Sequence, residues 1–226
     1  MYQLGKNSRK GFTLLELLVV IAIIAILSVI LILVLDPAET LKKSRDAQRI
    51  SDLNTVKTAI GIYSTGTSTV YLGGPSSNLL CKTGAGAGSY PAQSATVHSV
   101  RYSAQSATIT ALVDVSASTT QLTIVSSTLT NGEGWAPVNF DGLVGGSPIS
   151  NLPLDPTNSV TAVPASTDRT YRYTCNASTT KWEADAALES DEFTINDNKR
   201  TKDGGNNSNY YEVGTSLQLL GTGTDF

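Results

Sequence analysis

A chain of 226 residues with a net charge of −3 and 15% charged residues has room for one compact domain plus an extended element. Its balance lacks the basic surface on which nucleic-acid binding relies, so the sequence gives no direct sign of a nucleic-acid partner. Two cysteines and the single histidine, His98, exclude a metal centre built from a cluster of Cys and His ligands.

Residues 1–11 carry Lys6, Arg9 and Lys10 and no acid. From Phe12 to Leu35 the only charge is Glu16. As a helix this run spans roughly 36 Å at about 1.5 Å per residue. A hydrocarbon core is about 30 Å thick, so the run is long enough to cross it. Cations just before such a segment place the N-terminus on the cytoplasmic side. An ionised carboxylate at the bilayer centre costs about 2.5–3.5 kcal/mol. Glu16 therefore either snorkels toward water near the interface or meets a positive partner.

Asp36-Pro37-Ala38-Glu39 reads as a helix N-cap followed by proline at the first helical position, so the helix kinks or restarts there. Beyond it, Ala47, Ile50, Leu53, Val56, Ile60 and Tyr63 recur at three- and four-residue steps and predict one apolar face. Charged residues such as Arg45, Asp46, Arg49 and Asp52 are assigned to the opposite side. The helical signal ends near Ser64-Thr65-Gly66. A rod of roughly 80 Å, as the two halves would make if straight, cannot be buried within one domain of this length.

The motif Lys10-Gly11-Phe12-Thr13-Leu14-Leu15-Glu16, with its short basic leader and long apolar run, resembles the prepilin processing site of type IV pilins and type II secretion pseudopilins. A secretory signal peptide fails on order, because here the apolar run follows the Gly-Phe site and exceeds a signal-peptide core. The resemblance implies a leader over residues 1–11, a membrane and filament-core helix over 12–35, an amphipathic continuation over 36–64 and a head over 65–226. It implies cleavage between Gly11 and Phe12 by a prepilin peptidase that also methylates the Phe12 amine. Glu16 becomes the fifth mature residue, expected to meet that cationic amine on a neighbouring subunit. The implied partners are the peptidase, further copies of the chain and minor pilins, an inner-membrane assembly platform and membrane lipid. The implied location is the bacterial inner membrane, with the head outside the cytoplasm.

In the head, residues 65–96 read as loop, and Gly84-Ala85-Gly86-Ala87-Gly88 lacks the Lys and the context of a phosphate-binding loop. Thr96–Tyr102, Ala107–Val113 and Thr119–Val125 are strand-like, within a Ser/Thr-rich insertion over about 65–130. Thr170–Cys175 predicts a strand. Lys181–Leu188 predicts a half-buried one, with Trp182, Ala184, Ala186 and Leu188 inward and Glu183, Asp185 and Ala187 outward. Tyr210–Gly214 is a short final strand, and Leu217, Leu219 and Leu220 are candidates for another. Asp155 between prolines reads as turn chemistry. The fold expected is α+β, a long N-terminal helix whose second half packs on an antiparallel sheet.

Leu152-Pro153-Leu154-Asp155-Pro156 with the Tyr-Arg-Tyr strand, and Asp203-Gly204-Gly205-Asn206 before Tyr-Tyr-Glu-Val-Gly, are similar to the C-terminal region of major pseudopilins. Some pseudopilins bind calcium in the loop corresponding to Asp191–Asn209. The spacing here does not fit an EF-hand, and a solvated polar loop is the alternative reading, so no ligand is assigned. Cys81 and Cys175 allow a single disulfide in a compartment that permits it, against two independent buried thiols. No catalytic signature is present: no nucleophile elbow, no zinc-protease pattern and no dinucleotide motif. The expectation is thus a non-enzymatic filament subunit, of a pilus or of a secretion pseudopilus. A membrane-tethered binding module that never polymerises is the rival.

Overall fold

The computed structural model describes residues 11–81, 100–104, 122–124, 127–160 and 167–220. The leader cations, the glycine run at 84–88, His98 and the strand expected over Ala107–Val113 lie outside the described residues. The chain divides into two compact units, Met1–Leu41 and Lys42–Phe226.

The first unit is built on helix α1, Leu14–Leu35. Its window Leu14–Ile32 has a mean hydropathy of 3.2 and none of it is buried. The helix ends at Asp36, whose φ of 34° is left-handed. Pro37 disfavours right-handed geometry at the residue before it, and it has no N–H to donate into the preceding turn. The chain therefore restarts as helix α2, Pro37–Gly66, with the Glu39 N–H donating to Asp36 Oδ1 at 3.2 Å.

In the second unit, α2 buries Leu53, Val56, Ala59, Ile60 and Tyr63. They pack with Trp135, Phe140, Tyr171, Tyr173, Trp182, Ala184 and Val213 in one core. Strands β1 (Val100–Tyr102), β2 (Leu122–Ile124), β3 (Tyr171–Asn176), β4 (Lys181–Ala186) and β5 (Tyr211–Gly214) form one sheet in the order β2-β1-β3-β4-β5. Four strands are antiparallel, as the α+β expectation required; β2 departs from it, running parallel to β1 at the edge. Alternate residues of the strands fill the core: Tyr171, Tyr173 and Cys175 from β3, Trp182, Ala184 and Ala186 from β4.

Three expectations need correction. The apolar face of α2 does not begin at Ala47 and Ile50: Ala47 is exposed and Ile50 half-buried, and Asp46 and Arg49 are buried in their place. β4 is not half-buried, because Glu183 and Asp185 are as inaccessible as Trp182. Their face carries its own apolar cover of Val100, Tyr102, Ala187, Tyr210 and Leu220. Leu219 and Leu220 form no strand; both are buried, Leu220 within that cover, and their backbone N–H groups donate to Glu183.

Candidate functional site

Gly11 and Phe12 lie immediately before α1, and the Phe12 side chain is 84% exposed. A Cβ added at Gly11 would meet nothing, so glycine is not required there by crowding within the described chain. Thr13 is the N-cap of α1. Its backbone N–H and its hydroxyl both donate to Glu16 Oε2, each at 2.9 Å, while the Glu16 N–H donates to Thr13 Oγ1 at 3.2 Å. This reciprocal capping box satisfies donors that the first turn of a helix leaves without partners. Both Thr13 bonds converge on one oxygen. A carboxylate has about four acceptor sites, so Glu16 keeps capacity for a cation while it caps the helix.

A model of the prokaryotic N-terminal methylation motif matches residues 6–32. Over these residues the chain carries the N-terminal motif of type IV pilin-like proteins. No curated protein and no solved structure matches it. The motif carries with it processing of the pilin-like chain by prepilin peptidase and association with other pilins, and proteins of this kind are generally structural. Together with the apolar helix α1 it makes the N-terminal segment a membrane anchor.

The head of this pilin-like protein holds a second group of charges that local pattern did not single out. Arg49 is fully buried on α2. Its Nε and Nη2 donate to the two oxygens of Asp155 at 2.7 and 3.0 Å. Its Nη1 donates to Asp46 at 2.7 Å and to Glu189 at 2.8 Å, and its Nη2 reaches the Thr157 hydroxyl at 3.2 Å. Burial opposes the Arg49 charge, but the bonds to Asp155, Glu189 and Asp46 outweigh it and hold the guanidinium above its ordinary pKa. Asp46 also accepts from the backbone N–H groups of Glu189 and Ser190 and from the Ser190 hydroxyl. Glu189 takes a bidentate pair from Arg45 at 2.6 and 2.9 Å. That pair, with Arg49, lowers the Glu189 pKa to about 2. Each of these groups is held by fixed partners. The arrangement clamps α2 to the loops at 155–157 and 189–190.

Asp155 does supply turn chemistry, accepting from the Thr157 and Asn158 N–H groups, and it anchors Arg49 as well. Cys81 and Cys175 are joined by a disulfide with Cα atoms 4.6 Å apart, tying the loop after α2 to β3. Gly73 packs on that bond: a Cβ there would stand 2.5 Å from Cys81 Sγ. In the polar stretch Asp191–Asn209, Asp197 pairs with Lys199 and Lys202. Asp203 accepts from the N–H groups of Gly205 and Glu212, each at 2.8 Å. Among the described residues no group of three or more His, Cys, Asp or Glu is arranged to hold a metal ion.

Proposed function

We propose that this pilin-like protein is a structural subunit of a type IV pilus-like or type II secretion pseudopilus filament. Prepilin peptidase cuts it between Gly11 and Phe12 and methylates the Phe12 amine, and the subunit polymerises through α1. Before assembly it sits in the bacterial inner membrane with its head outside the cytoplasm. The observation that carries the reading is an apolar helix with none of its window Leu14–Ile32 buried, whose only charge, Glu16, lies in its first turn and inside the methylation motif. Such a surface is stable only in lipid or against other stems. A neighbour's cationic amine at the Glu16 carboxylate offsets the desolvation of both charges, so the pair rewards one register and penalises others.

The capping box determines how the test is designed. Glu16→Ala removes both the charge and a capping contact. Glu16→Gln removes only the charge, because glutamine also serves at that capping position. Both variants are expected to be cut and methylated, with Phe12 first by mass spectrometry of the mature chain, and both are expected to be missing from sheared filaments. Glu16→Gln subunits entering filaments at the wild-type level would refute polymerisation through this charge, and absence of the wild-type chain from filaments would favour a tethered module that does not assemble.

A further inference from the structure

The face of the sheet turned away from α2 holds three carboxyl groups, those of Glu183, Asp185 and Glu212, beside the guanidinium of Arg172. Arg172 on β3 donates from Nε to Asp185 on β4 at 2.6 Å and from Nη2 to the other Asp185 oxygen, and the Tyr210 ring lies 3.6 Å from its guanidinium carbon. That pairing engages the cation. Glu183 and Glu212 are left, both buried and on the neighbouring strands β4 and β5. Glu183 Oε2 accepts from the Leu219 and Leu220 N–H groups at 2.6 and 2.8 Å. Glu212 Oε2 accepts from the Asn207 N–H at 2.9 Å. The remaining oxygens, Glu183 Oε1 and Glu212 Oε1, are buried and meet no N–H or O–H donor among the described residues. The two side chains are diagonal neighbours on the paired strands, Glu183 standing opposite Gly214 and Glu212 opposite Asp185. Two ionised carboxylates cannot be held in contact away from water, whereas a carboxylic acid donating to a carboxylate satisfies both orphaned oxygens.

We propose that Glu183 and Glu212 share one proton and form a pH-set latch that holds the segments around Asn207 and Leu219–Leu220 on the outer face of the head. The other groups facing the pair do not supply a counter-charge. Asp203, in the loop before β5, is a further acid; Asp185 already holds Arg172; Tyr102 on β1 and Tyr210 are phenols, with Asp168 and Arg169 beyond Tyr210. Burial is the largest cause raising both glutamates above the ordinary carboxyl range. The folded chain then keeps a proton that the unfolded chain releases near 4.5. The latch is fully closed in acid and loses strength as pH rises, by up to about tenfold in the folding equilibrium per pH unit for one retained proton. Nothing in this device depends on whether the protein forms filaments.

Amide substitution separates the proton from the shape. In Glu183→Gln the amide oxygen still accepts from Leu219 and Leu220, and the NH2 group donates to an ionised Glu212, as the shared proton does. Glu212→Gln works the same way in reverse. With both changed, two NH2 groups face each other with no acceptor between them. Infrared spectra of the full chain in detergent micelles should show a protonated-carboxyl band at pH 7 that each single variant abolishes. Thermal unfolding between pH 5 and 9 should show stability falling with pH in the wild type, a flatter profile in each single variant, and a double variant less stable than either. Absence of the band from the wild type at pH 7, its survival in both single variants, or a loss of stability on adding a chelator (a cation between the oxygens) would each overturn the shared proton.

Discussion

Arg49→Met tests whether the buried charge cluster clamps α2 to the head. The substitution keeps a long unbranched side chain and deletes the cation that Asp155, Asp46 and Glu189 share. Removing one member of a buried ion pair typically costs about 3–5 kcal/mol, because the remaining charge stays buried and uncompensated. Here the penalty is softened by other donors. Asp155 retains the N–H groups of Thr157 and Asn158, and Asp46 retains those of Glu189 and Ser190 together with the Ser190 hydroxyl. Glu189 retains Arg45. The lower part of the range, about 3 kcal/mol, follows, or roughly a hundredfold or more in the folding equilibrium. Pulse proteolysis of the full chain in detergent micelles over a urea series reads this directly. Arg49→Met with Asp155→Asn should recover part of the loss, since it removes the stranded anion. A loss below about 1 kcal/mol, the scale of an exposed pair, would refute the clamp.

Three further outcomes are expected. Glu189 ionises near 2 in the fold and near 4.5 when free. A depressed acid contributes stability above its unfolded pKa and loses it as pH falls through the folded one. Glu189→Gln should therefore be less stable than wild type at neutral pH, and melting curves of the two should converge between pH 4.5 and 2. Replacing Cys81 and Cys175 together with alanine releases a loop with a sequence separation of 94. Loop-closure entropy then gives a loss of about 4–5 kcal/mol, against about 2–5 seen on removing native disulfides. Reductant should lower the melting temperature of the wild type and leave the variant unchanged. At Gly214 a Cβ would lie 2.3 Å from the Trp182 carbonyl oxygen and 2.9 Å from Glu183 Cα. Gly214→Ala should open the β4–β5 ladder at a cost of about 1–3 kcal/mol, seen as faster amide exchange across β5.

Features that depend on near neighbours in the chain were legible in the sequence. Leu53, Val56, Ile60 and Tyr63 face the core as their spacing required, and Asp36-Pro37 marks a helix start. The Thr13–Glu16 capping box also has a local signature, a threonine three residues before a glutamate. Arg49 could not be read as buried, because its partners Asp155 and Glu189 lie 106 and 140 residues away in the chain. Charge alone assigned it to solvent, and only the fold supplies the acids that make its burial tolerable. The outer face of β4 failed for the same reason. Alternation placed Glu183 and Asp185 together correctly, but whether that face is wet depends on Tyr210 and Leu220 covering it. The parallel pairing of β2 with β1 rests on contacts between distant segments that no local pattern encodes.

Charge is handled differently in the two units. In the second unit, the charged side chains of Arg49, Asp46, Arg172 and Asp185 are at most 2% exposed, and each meets an opposite charge from its own chain. Changes there alter the stability of one subunit and should be felt whether or not other subunits are present. In α1 none of the apolar window Leu14–Ile32 is buried, and among the described residues the carboxylate of Glu16 is held by an uncharged one, Thr13. A helix of this kind gains nothing further from its own fold; its remaining free energy lies in lipid or in other stems. Conservative changes in the apolar residues of α1 should therefore leave the melting temperature of the head unchanged while altering how much subunit enters filaments. A variant of α1 that lowered both by comparable amounts would show the two functions to be coupled. The division follows from where each chain segment finds its counter-charges and its cover: the head inside itself, the stem outside.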